Sequence, residues 1–522
     1  MTKGFCLQDA LKVLFLTFSV LCGAFSISGQ AQISNNALTD SDIQEIYKEL
    51  IAFIGYEDRI WPKLKVLGVR NRVASYSPLE NTIWIDRQAL AICGSLGAQS
   101  RSATSFLIAH ELAHFYRKHS EGTRGFAEGF LNSQIVYTAQ QKDEVEADVF
   151  GAFIAEQAGY KVVSVVDTLL DLIYQDYLLK PEASHSYPDL EERKKIAHES
   201  CNLAQDLVDI YQTANYALAL GLYSEAIGLY RWIKSSLTFE ALSINLAMAY
   251  LGNYFVLSDT DLKYPLLIKP EIPIIRDMMD FSPEELLIEA NKEFGRIAPS
   301  SYSQNAAIRM YNTFVQYKIK GLSNSIEMLE ENGNKKNVEE KIILANLLAT
   351  EGFISESKKL YQTLIEKEVS PGEKALIDYN LNIISQDVNK KQLDQVESHQ
   401  GSIEKNIDGI PSINRVTVYD QELQLNENQL IRKKHQFGSV FVNLVARNYS
   451  IFKLQRIFDS SVKSSNGLFI GQPFNAWTEI YPHYQILSSK HSRGSYAIIT
   501  EVNIICKLDQ AKSILEWCIY SY

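Results

Sequence analysis

Apolar residues recur with the spacing of buried helices along most of this chain, and they gather into strand-like runs near its C-terminal end. One such helical segment begins at Ser102 or Thr104, either of which could cap a helix, and ends at about His119. Its apolar residues are Phe106, Leu107, Leu112, Ala113, Phe115 and Tyr116. These leave too little polar surface for a solvated helix, so the pattern predicts a helix that is buried in a core.

Between residues 206 and 386 the apolar pattern becomes that of paired helices. The positions that carry small and aromatic residues resemble those of a tetratricopeptide repeat, and they occur twice. The first copy comprises Ala214, Ala217, Gly221, Tyr223, Ala226 and Tyr230, and the second comprises Ala345, Leu348, Gly352, Ile354, Ser357 and Tyr361. Residues 264–273 are Pro-rich and predict an insertion loop. Stacked helix pairs form a concave surface, so we expect this array to bind extended peptide or another protein.

The last quarter of the chain has a different pattern. Residues 387–406 are polar and charged, which is typical of a linker. Beyond them, runs rich in Val, Ile, Tyr and Phe predict strands, and a short helix is predicted within 471–477. The predicted strands are 415–425, 437–445, 484–487, 495–507 and 514–520. We therefore expect a small α+β domain over 407–522.

The N-terminal residues have the pattern of a secretory signal peptide. Lys3 and Lys12 precede an apolar run at 13–25, and small residues before Gln32 allow cleavage after Ala31. The apolar run is too short for a comfortable membrane span, and no later stretch reaches eighteen apolar residues. The sequence predicts a periplasmic or secreted protein, with residues 1–31 removed, that is not an integral membrane protein.

Composition narrows the class of partner. The chain has 522 residues, 46% of them hydrophobic, which suggests about three domains with their own cores. Its net charge of -11, without a long basic cluster, disfavours nucleic acid as a partner. Beyond the signal peptide the cysteines are Cys93, Cys201, Cys506 and Cys518. The last two could form a disulfide in an oxidising compartment or remain as buried thiols.

The most informative motif lies in the helix predicted over 102–119. His110 and His114 belong to the sequence HELAH, which fits His-Glu-x-x-His. On a helix, two histidines four residues apart project from one face and can hold two corners of a tetrahedral zinc site. Glu111 lies about 100° around the helix from His110, close enough to take a proton from water without being a ligand.

A third ligand has to come from elsewhere in the chain. The metzincin pattern would require glycine at 117 and histidine at 120, where this chain has Arg117 and Ser120, so that subclass is excluded. A glutamate from a second helix, predicted over 133–158, is the remaining route. There Glu144 and Asp148 share one face, and Glu146 is the competing ligand, although it lies about 160° from Asp148 on an ideal helix.

Taken in order, these elements resemble those of a known family. HELAH, then Glu-x-x-Ala-Asp-x-x-Gly at 144–151, then Ala-Gly-Tyr at 158–160 is similar to the gluzincin metallopeptidases of the HtpX, CAAX prenyl protease and BepA type. The segment from Tyr187 and Pro188 to Arg193 resembles the family's His-Pro-x-x-x-x-Arg element. The likeness covers roughly residues 40–200, and the lack of membrane spans is nearest to the soluble periplasmic BepA-like branch.

The resemblance implies a role for each matching residue. His110, His114 and Glu144 would bind one Zn²⁺ per chain, Glu111 would be the general base, and Asp148 would orient a ligand histidine from outside the first coordination sphere. The family's histidine before proline, thought to stabilise the oxyanion, is replaced here. Tyr187 could donate the same hydrogen bond, or it could be a packed loop residue, and His185 is the rival donor.

These expectations define two functions. The first is a zinc metalloendopeptidase that hydrolyses exported, unfolded or envelope proteins in quality control. It would comprise a gluzincin-type domain over 32–205, a repeat array over 206–386 that presents substrates or partner proteins, and the α+β domain. The alternative is a repeat-based binding or chaperone-like protein whose peptidase domain is latent or inactive. The intact HELAH with Glu144 and Asp148 favours the first.

Overall fold

The computed structural model describes residues 38–521 with breaks, of which the longest are 118–138, 178–189, 259–281 and 386–415. Helices predominate in the described residues and two sheets accompany them, which confirms the prediction of a mainly α protein. The predicted signal peptide, insertion loop and linker, and the segment containing His185 and Tyr187, lie outside the described residues.

The N-terminal part is built around a three-stranded sheet. Its strands are β1 (Lys63–Leu67), β2 (Ala74–Ser77) and β3 (Thr82–Asp86). β3 lies in the middle, parallel to β1 and antiparallel to β2, and its β-branched residues Ile83 and Ile85 are buried. The surrounding helices are α1 (Asp40–Ile54), α2 (Arg87–Ser95), α3 (Ser100–Arg117), α4 (Ala139–Gln157) and α5 (Val166–Asp176).

The next helix, α6 (Leu190–Ala219), joins this part to the rest of the molecule. It is 30 residues long, and the expected domain boundary between 205 and 206 falls inside it. Its second half packs on the N-terminal part, where the ring of Tyr211 lies 6.3 Å from that of Phe53 on α1 and 6.0 Å from that of Phe153 on α4. One hydrophobic core therefore continues from α1 through α6 into the later helices.

Pairs of helices follow α6, as the apolar pattern predicts. They are α7 (Tyr223–Lys234), α8 (Glu240–Leu257), α9 (Pro283–Phe294), α10 (Ala306–Lys320), α11 (Leu322–Glu331), α12 (Val338–Thr350), α13 (Ile354–Ile365) and α14 (Pro371–Ser385). Gly221 and Gly352 have φ of 73° and 89° and form the turns before α7 and α13, which explains the glycine in both copies of the pattern. None of the described helices is long and apolar enough to cross a membrane.

The two copies also share a polar network that the apolar pattern does not reveal. The hydroxyl of Tyr230 donates to Oδ1 of Asn215 at 2.6 Å, and that of Tyr361 donates to Oδ1 of Asn346 in the same way. A second asparagine donates to the same acceptor in each copy: Asn245 at 3.0 Å and Asn380 at 3.1 Å. The asparagines are half-buried in the first copy and buried in the second, and an amide removed from water needs partners, so this repeated triad holds neighbouring helices in register.

The C-terminal part is a large sheet. Its strands are β4 (Gln421–Asn426), β5 (Gln429–Gln436), β6 (Ser439–Ala446), β7 (Tyr449–Ile457), β8 (Gln485–Ser488), β9 (Ser495–Ile499), β10 (Ile504–Leu508) and β11 (Ile514–Ser521). They lie in the order β4-β5-β6-β7-β11-β10-β9-β8, and neighbours are antiparallel. One face of the sheet joins the main core and the other is covered by its own core, which includes Phe474, Trp477 and Tyr481.

This sheet corrects the prediction of a small α+β domain. The predicted helix is the single turn α15 (Asn475–Thr478), and the strand predicted over 495–507 is two strands separated by a tight turn at Thr500–Val502. β5 and β7 were not predicted, because charged residues interrupt their apolar runs. The structure nevertheless buries Lys433 and Arg456 within them.

The sheet also decides between the two states proposed for the C-terminal cysteines. Cys506 pairs with Trp517 across β10 and β11, whereas Cys518 pairs with Ile505. Since paired residues project to the same face and neighbours along a strand to opposite faces, the two thiols lie on opposite sides of the sheet. Both cysteines are therefore free and buried.

Candidate metal centre

Two helices bring the three predicted ligands together. His110 and His114 lie one turn apart on α3, and Glu144 faces them from α4. The two Nε2 atoms are 3.1 Å apart, while Glu144 places Oε2 3.3 Å from Nε2 of His110 and Oε1 3.6 Å from Nε2 of His114. Donors about 2.05 Å from a tetrahedral zinc are about 3.3 Å from one another. One ligand atom from each of the three residues lies within 4.8 Å of the other two, so small side-chain adjustments would allow them to hold a metal ion.

A glycine allows α3 and α4 to approach this closely. A Cβ atom at Gly151 would lie 2.8 Å from the backbone nitrogen of His110 and 2.9 Å from its Cα. Contacts this short do not occur between a real Cβ and backbone, and a helix backbone cannot move aside as a flexible side chain can. Any larger residue at 151 would push the helices apart beside a ligand. This explains the glycine that closes the Glu-x-x-Ala-Asp-x-x-Gly motif.

Asp148 fixes the orientation of the first histidine. It is fully buried one turn along α4 from Glu144, and its Oδ1 lies 2.9 Å from Nδ1 of His110. An ionised carboxylate can only accept, so Nδ1 carries a proton and Nε2 is the ring nitrogen that faces the cluster. This is the arrangement expected of a metal-binding histidine and its outer carboxylate.

The same carboxylate is held from its other side by Arg193 near the start of α6. The two terminal nitrogens of this guanidinium donate to the two oxygens of Asp148, with Nη2 to Oδ1 at 2.8 Å. In the sequence, Arg193 matches the arginine of the His-Pro-x-x-x-x-Arg element, a match that assigns it no function. Only the fold brings α6 beside α4, so spacing along the chain could not have revealed the contact.

The charges of these groups shift one another's pKa values. Although burial alone opposes the charge, Arg193 and His110 hold the pKa of Asp148 well below its usual range. Burial would lower the pKa of His110, but hydrogen bonds to Asp148 and Glu144 outweigh it and raise that pKa. In the metal-free protein the imidazole therefore holds a proton on each nitrogen, and binding a metal at Nε2 requires loss of one of them.

Glu111, which follows His110 on α3, does not belong to the group of three candidate ligands. It is buried, and burial, opposed by the charge on His110, raises the pKa of its carboxyl to about 7. A backbone hydrogen bond from Tyr76 also connects it to β2. A carboxylate whose pKa is close to neutral pH can both accept and return a proton, which suits a general base.

The competing ligand Glu146 points elsewhere. Its side chain is buried and forms an ion pair with Arg117 at the end of α3. This agrees with the wide angle between Glu146 and Asp148 on a helix, and it leaves Glu144 as the glutamate of the cluster. Within the described residues, the only group of three or more His, Cys, Asp or Glu side chains placed to hold a metal is His110, His114 and Glu144.

Aromatic packing brings the three-stranded sheet to the cluster. Phe115, the residue after His114, lies 5.6 Å from the ring of Trp61 and 5.6 Å from that of Tyr76 on β2. β2 is an edge strand of its sheet, so one edge of the sheet is fixed beside α3.

Comparison with known proteins adds no relative. A scan against protein-family models and a search of curated proteins both find no match to this chain. The interpretation of the site therefore depends on its geometry and on the motifs in the sequence.

Proposed function

We propose that this protein is a zinc-dependent metalloendopeptidase whose metal ligands are His110, His114 and Glu144. The observation that carries the proposal is the grouping of these three donors, with Asp148 accepting from Nδ1 of His110 so that Nε2 faces the group. Three protein ligands leave a fourth position open, which distinguishes a catalytic zinc site from a structural one. Zinc bound there would act as a Lewis acid and make a water molecule acidic enough to react near neutral pH.

Glu111 performs the proton transfers in this proposal. Its carboxylate takes a proton from the attacking water and then gives it to the amine that leaves when the peptide bond breaks. Burial serves this function, because a carboxyl with an ordinary pKa would be a weaker base at neutral pH.

The edge strand β2 supplies a means of binding the substrate. Among the residues that the structure describes, no strand pairs with the outer side of β2. An extended peptide can add to such an edge through main-chain hydrogen bonds that do not depend on its sequence. Such a peptide would run past Glu111 and the ligands, since β2 is packed on α3 by Phe115. Binding along an edge accepts the middle of a chain, which favours an endopeptidase that acts on unfolded segments.

The remaining parts complete the proposal. The N-terminal part would be a gluzincin-type domain, and the paired helices a tetratricopeptide-like array that presents exported or envelope proteins to the site. The signal-peptide pattern in the sequence supports action in the periplasm or outside the cell, in protein quality control.

Tyr187 enters the proposal as the donor that stabilises the developing oxyanion. Loss of one such donor lowers turnover by about 100- to 1000-fold, so Tyr187→Phe should reduce kcat by that factor and leave KM nearly unchanged. Steady-state kinetics on a peptide substrate measures this, and His185→Ala is the matched control. If Tyr187→Phe kept the wild-type kcat while His185→Ala lost most of it, His185 would be the oxyanion donor instead.

Cleavage of denatured casein tests the proposed activity. The purified protein should degrade casein, lose activity on dialysis against a chelator and regain it when one equivalent of zinc is added. Persistent cleavage in the chelator-treated protein would exclude a metal-dependent mechanism. Binding of casein without any cleavage by the zinc-loaded protein would favour the chaperone-like alternative.

A further inference from the structure

The long helix α6 carries charged contacts in two different regions of the molecule. Arg193, near its start, holds Asp148 at the candidate metal centre. Asp206 and Asp209, in its middle, face the C-terminal sheet. Over its 30 residues α6 is a single uninterrupted helix about 45 Å long, so these regions are joined by a stiff element.

The contact with the sheet is a buried ion network. Lys433 on β5 donates through Nζ to Oδ1 of Asp206 at 2.6 Å and to Oδ2 of Asp209 at 3.0 Å. Arg456 on β7 donates to Oδ1 of Asp209 at 3.1 Å and to Oε1 of Glu516 on β11 at 2.7 Å. Lys433 is 0% exposed and Arg456 is 5% exposed.

Two further hydrogen bonds strengthen the same contact. Gln421 on β4 donates to Oδ2 of Asp206 at 2.6 Å, and the hydroxyl of Tyr216 on α6 donates to Oε1 of Glu516 at 3.0 Å. Four strands of the sheet therefore engage one helix through named polar atoms. If the sheet slid along α6 by one turn, the buried charges of Lys433 and Arg456 would lose their hydrogen bonds to Asp209.

Because these charged groups are buried, the network allows little change in the distances between them. An ion removed from water needs its partner at hydrogen-bonding distance, and separation of a buried pair is strongly unfavourable. Although burial opposes the charge, Lys433 and Arg456 keep the pKa of Asp209 below its usual range, and Arg456 does the same for Glu516. Asp209 and Glu516 are thus carboxylates at neutral pH, and their contacts fix both the axial position and the rotation of α6 relative to the sheet.

We propose that Lys433 and Arg456 are positioning residues for the metal centre, which act through α6 by holding Arg193 in reach of Asp148. The proposal rests on the proposed function, because it makes the orientation of the candidate ligand His110 depend on a sheet that is distant from it in the sequence. Arg193 lies in the first turn of α6, where a helix end frays most readily. Fixing the middle of the helix limits that motion, and Asp148 then stays aligned with His110.

Hydrogen–deuterium exchange of the full-length, metal-free protein tests the proposal without any activity. Lys433→Met removes the charge and keeps most of the length of the unbranched side chain. Exchange at residues 190–200 should become about tenfold faster, because the start of α6 opens more often. Zinc affinity, measured by competition with a chromogenic chelator, should fall by about tenfold, at the low end of what outer-shell changes cause.

A second variant keeps the result interpretable if Lys433→Met folds poorly. Lys433→Met combined with Asp209→Asn removes both charges of one pair, while Arg456 keeps Glu516, so the fold loses less stability. The helix start should still exchange faster and zinc should still bind more weakly. The matched control is Arg309→Met, which breaks a buried pair with Glu340 between α10 and α12, away from α6. It should change neither measurement at the metal centre.

Each outcome bears on the proposal. Faster exchange confined to the neighbourhood of Asp206 and Asp209, with residues 190–200 and zinc affinity unchanged in the double variant, would overturn it. Equal effects from Arg309→Met would also overturn it, since they would show general destabilisation. If the wild-type protein does not bind zinc, the proposed function fails, but the exchange at 190–200 still decides whether the sheet controls the start of α6.

Discussion

At the candidate metal centre Asp148 lies between one histidine and one guanidinium. Arg193 donates to both of its oxygens, a bidentate geometry that lysine cannot reproduce. The contact determines whether Asp148 remains aligned with Nδ1 of His110. It also balances the negative charge of the Asp148 carboxylate, which is 0% exposed.

Replacement of Arg193 should therefore weaken metal binding as well as stability. Arg193→Met leaves a buried charge with less compensation, which typically lowers the free energy of unfolding by about 3 to 5 kcal/mol. Metal affinity should fall by about 10- to 100-fold, as for other outer-shell partners. Urea unfolding and zinc titration measure the two effects. Arg193→Lys, which keeps the charge, should recover part of the stability; full recovery of both quantities would refute the bidentate role.

Gly151 offers a test of the helix crossing itself. Gly151→Ala places a Cβ 2.8 Å from the backbone of His110, so α3 and α4 must separate. Overpacking of this kind costs about 1 to 3 kcal/mol of stability, and zinc affinity should fall because Glu144 moves away from the histidines. Gly295→Ala is the control, since its nearest contacts are ordinary at 3.4 and 3.5 Å. Unchanged melting and zinc affinity in Gly151→Ala would contradict the crossing described above.

Most of the site residues could be named from the sequence. His110, His114, Glu144 and Asp148 are fixed by spacings of four along two helices, and a spacing along a helix determines a shared face. Arg193 could not be assigned in this way, because its contact with Asp148 depends on how α6 packs beside α4. The family resemblance favoured Glu144 over Glu146, and so did the angle of Glu146 on the helix; the ion pair of Glu146 with Arg117 agrees with that preference.

At the level of elements, helices were predicted well and the C-terminal strands incompletely. An apolar period is easy to recognise when the buried face contains only apolar residues. β5 and β7 bury Lys433 and Arg456, whose partners Asp206 and Asp209 lie on a distant helix. A pattern based on hydrophobicity treats such positions as exposed, so these strands were missed.

The same packing gives a prediction about fragments. A chain that ends at residue 205 loses the part of α6 that covers Phe153 and donates from Gln212 to Gln157. Exposure of a buried aromatic surface of this kind costs about 3 to 5 kcal/mol, so this fragment should melt at a much lower temperature or remain unfolded. A fragment that ends at residue 258 keeps Tyr211 and Phe239 on that surface and should be more stable. Calorimetry of the two fragments checks this; equal melting temperatures would argue against a shared core.

For the whole molecule, α6 is the element that connects the metal centre, the paired helices and the C-terminal sheet. One hydrophobic core includes residues from all three. The composition suggests separate domains with their own cores. In the structure, these parts share one core. In this arrangement α6 and the parts that pack on it hold α3 and α4, the helices of the candidate metal centre, in place.

The central claim is that three residues hold zinc and that a fourth, Glu111, carries out proton transfer. Zinc content by mass spectrometry and peptide hydrolysis should be measured on the same samples of wild type and Glu111→Gln. We predict about one zinc per chain in both proteins, with turnover at least about 100-fold lower in Glu111→Gln for lack of a base. His114→Ala, the matched ligand variant, should lose the metal as well as turnover. Wild-type turnover in Glu111→Gln, or stoichiometric zinc in His114→Ala, would contradict the account.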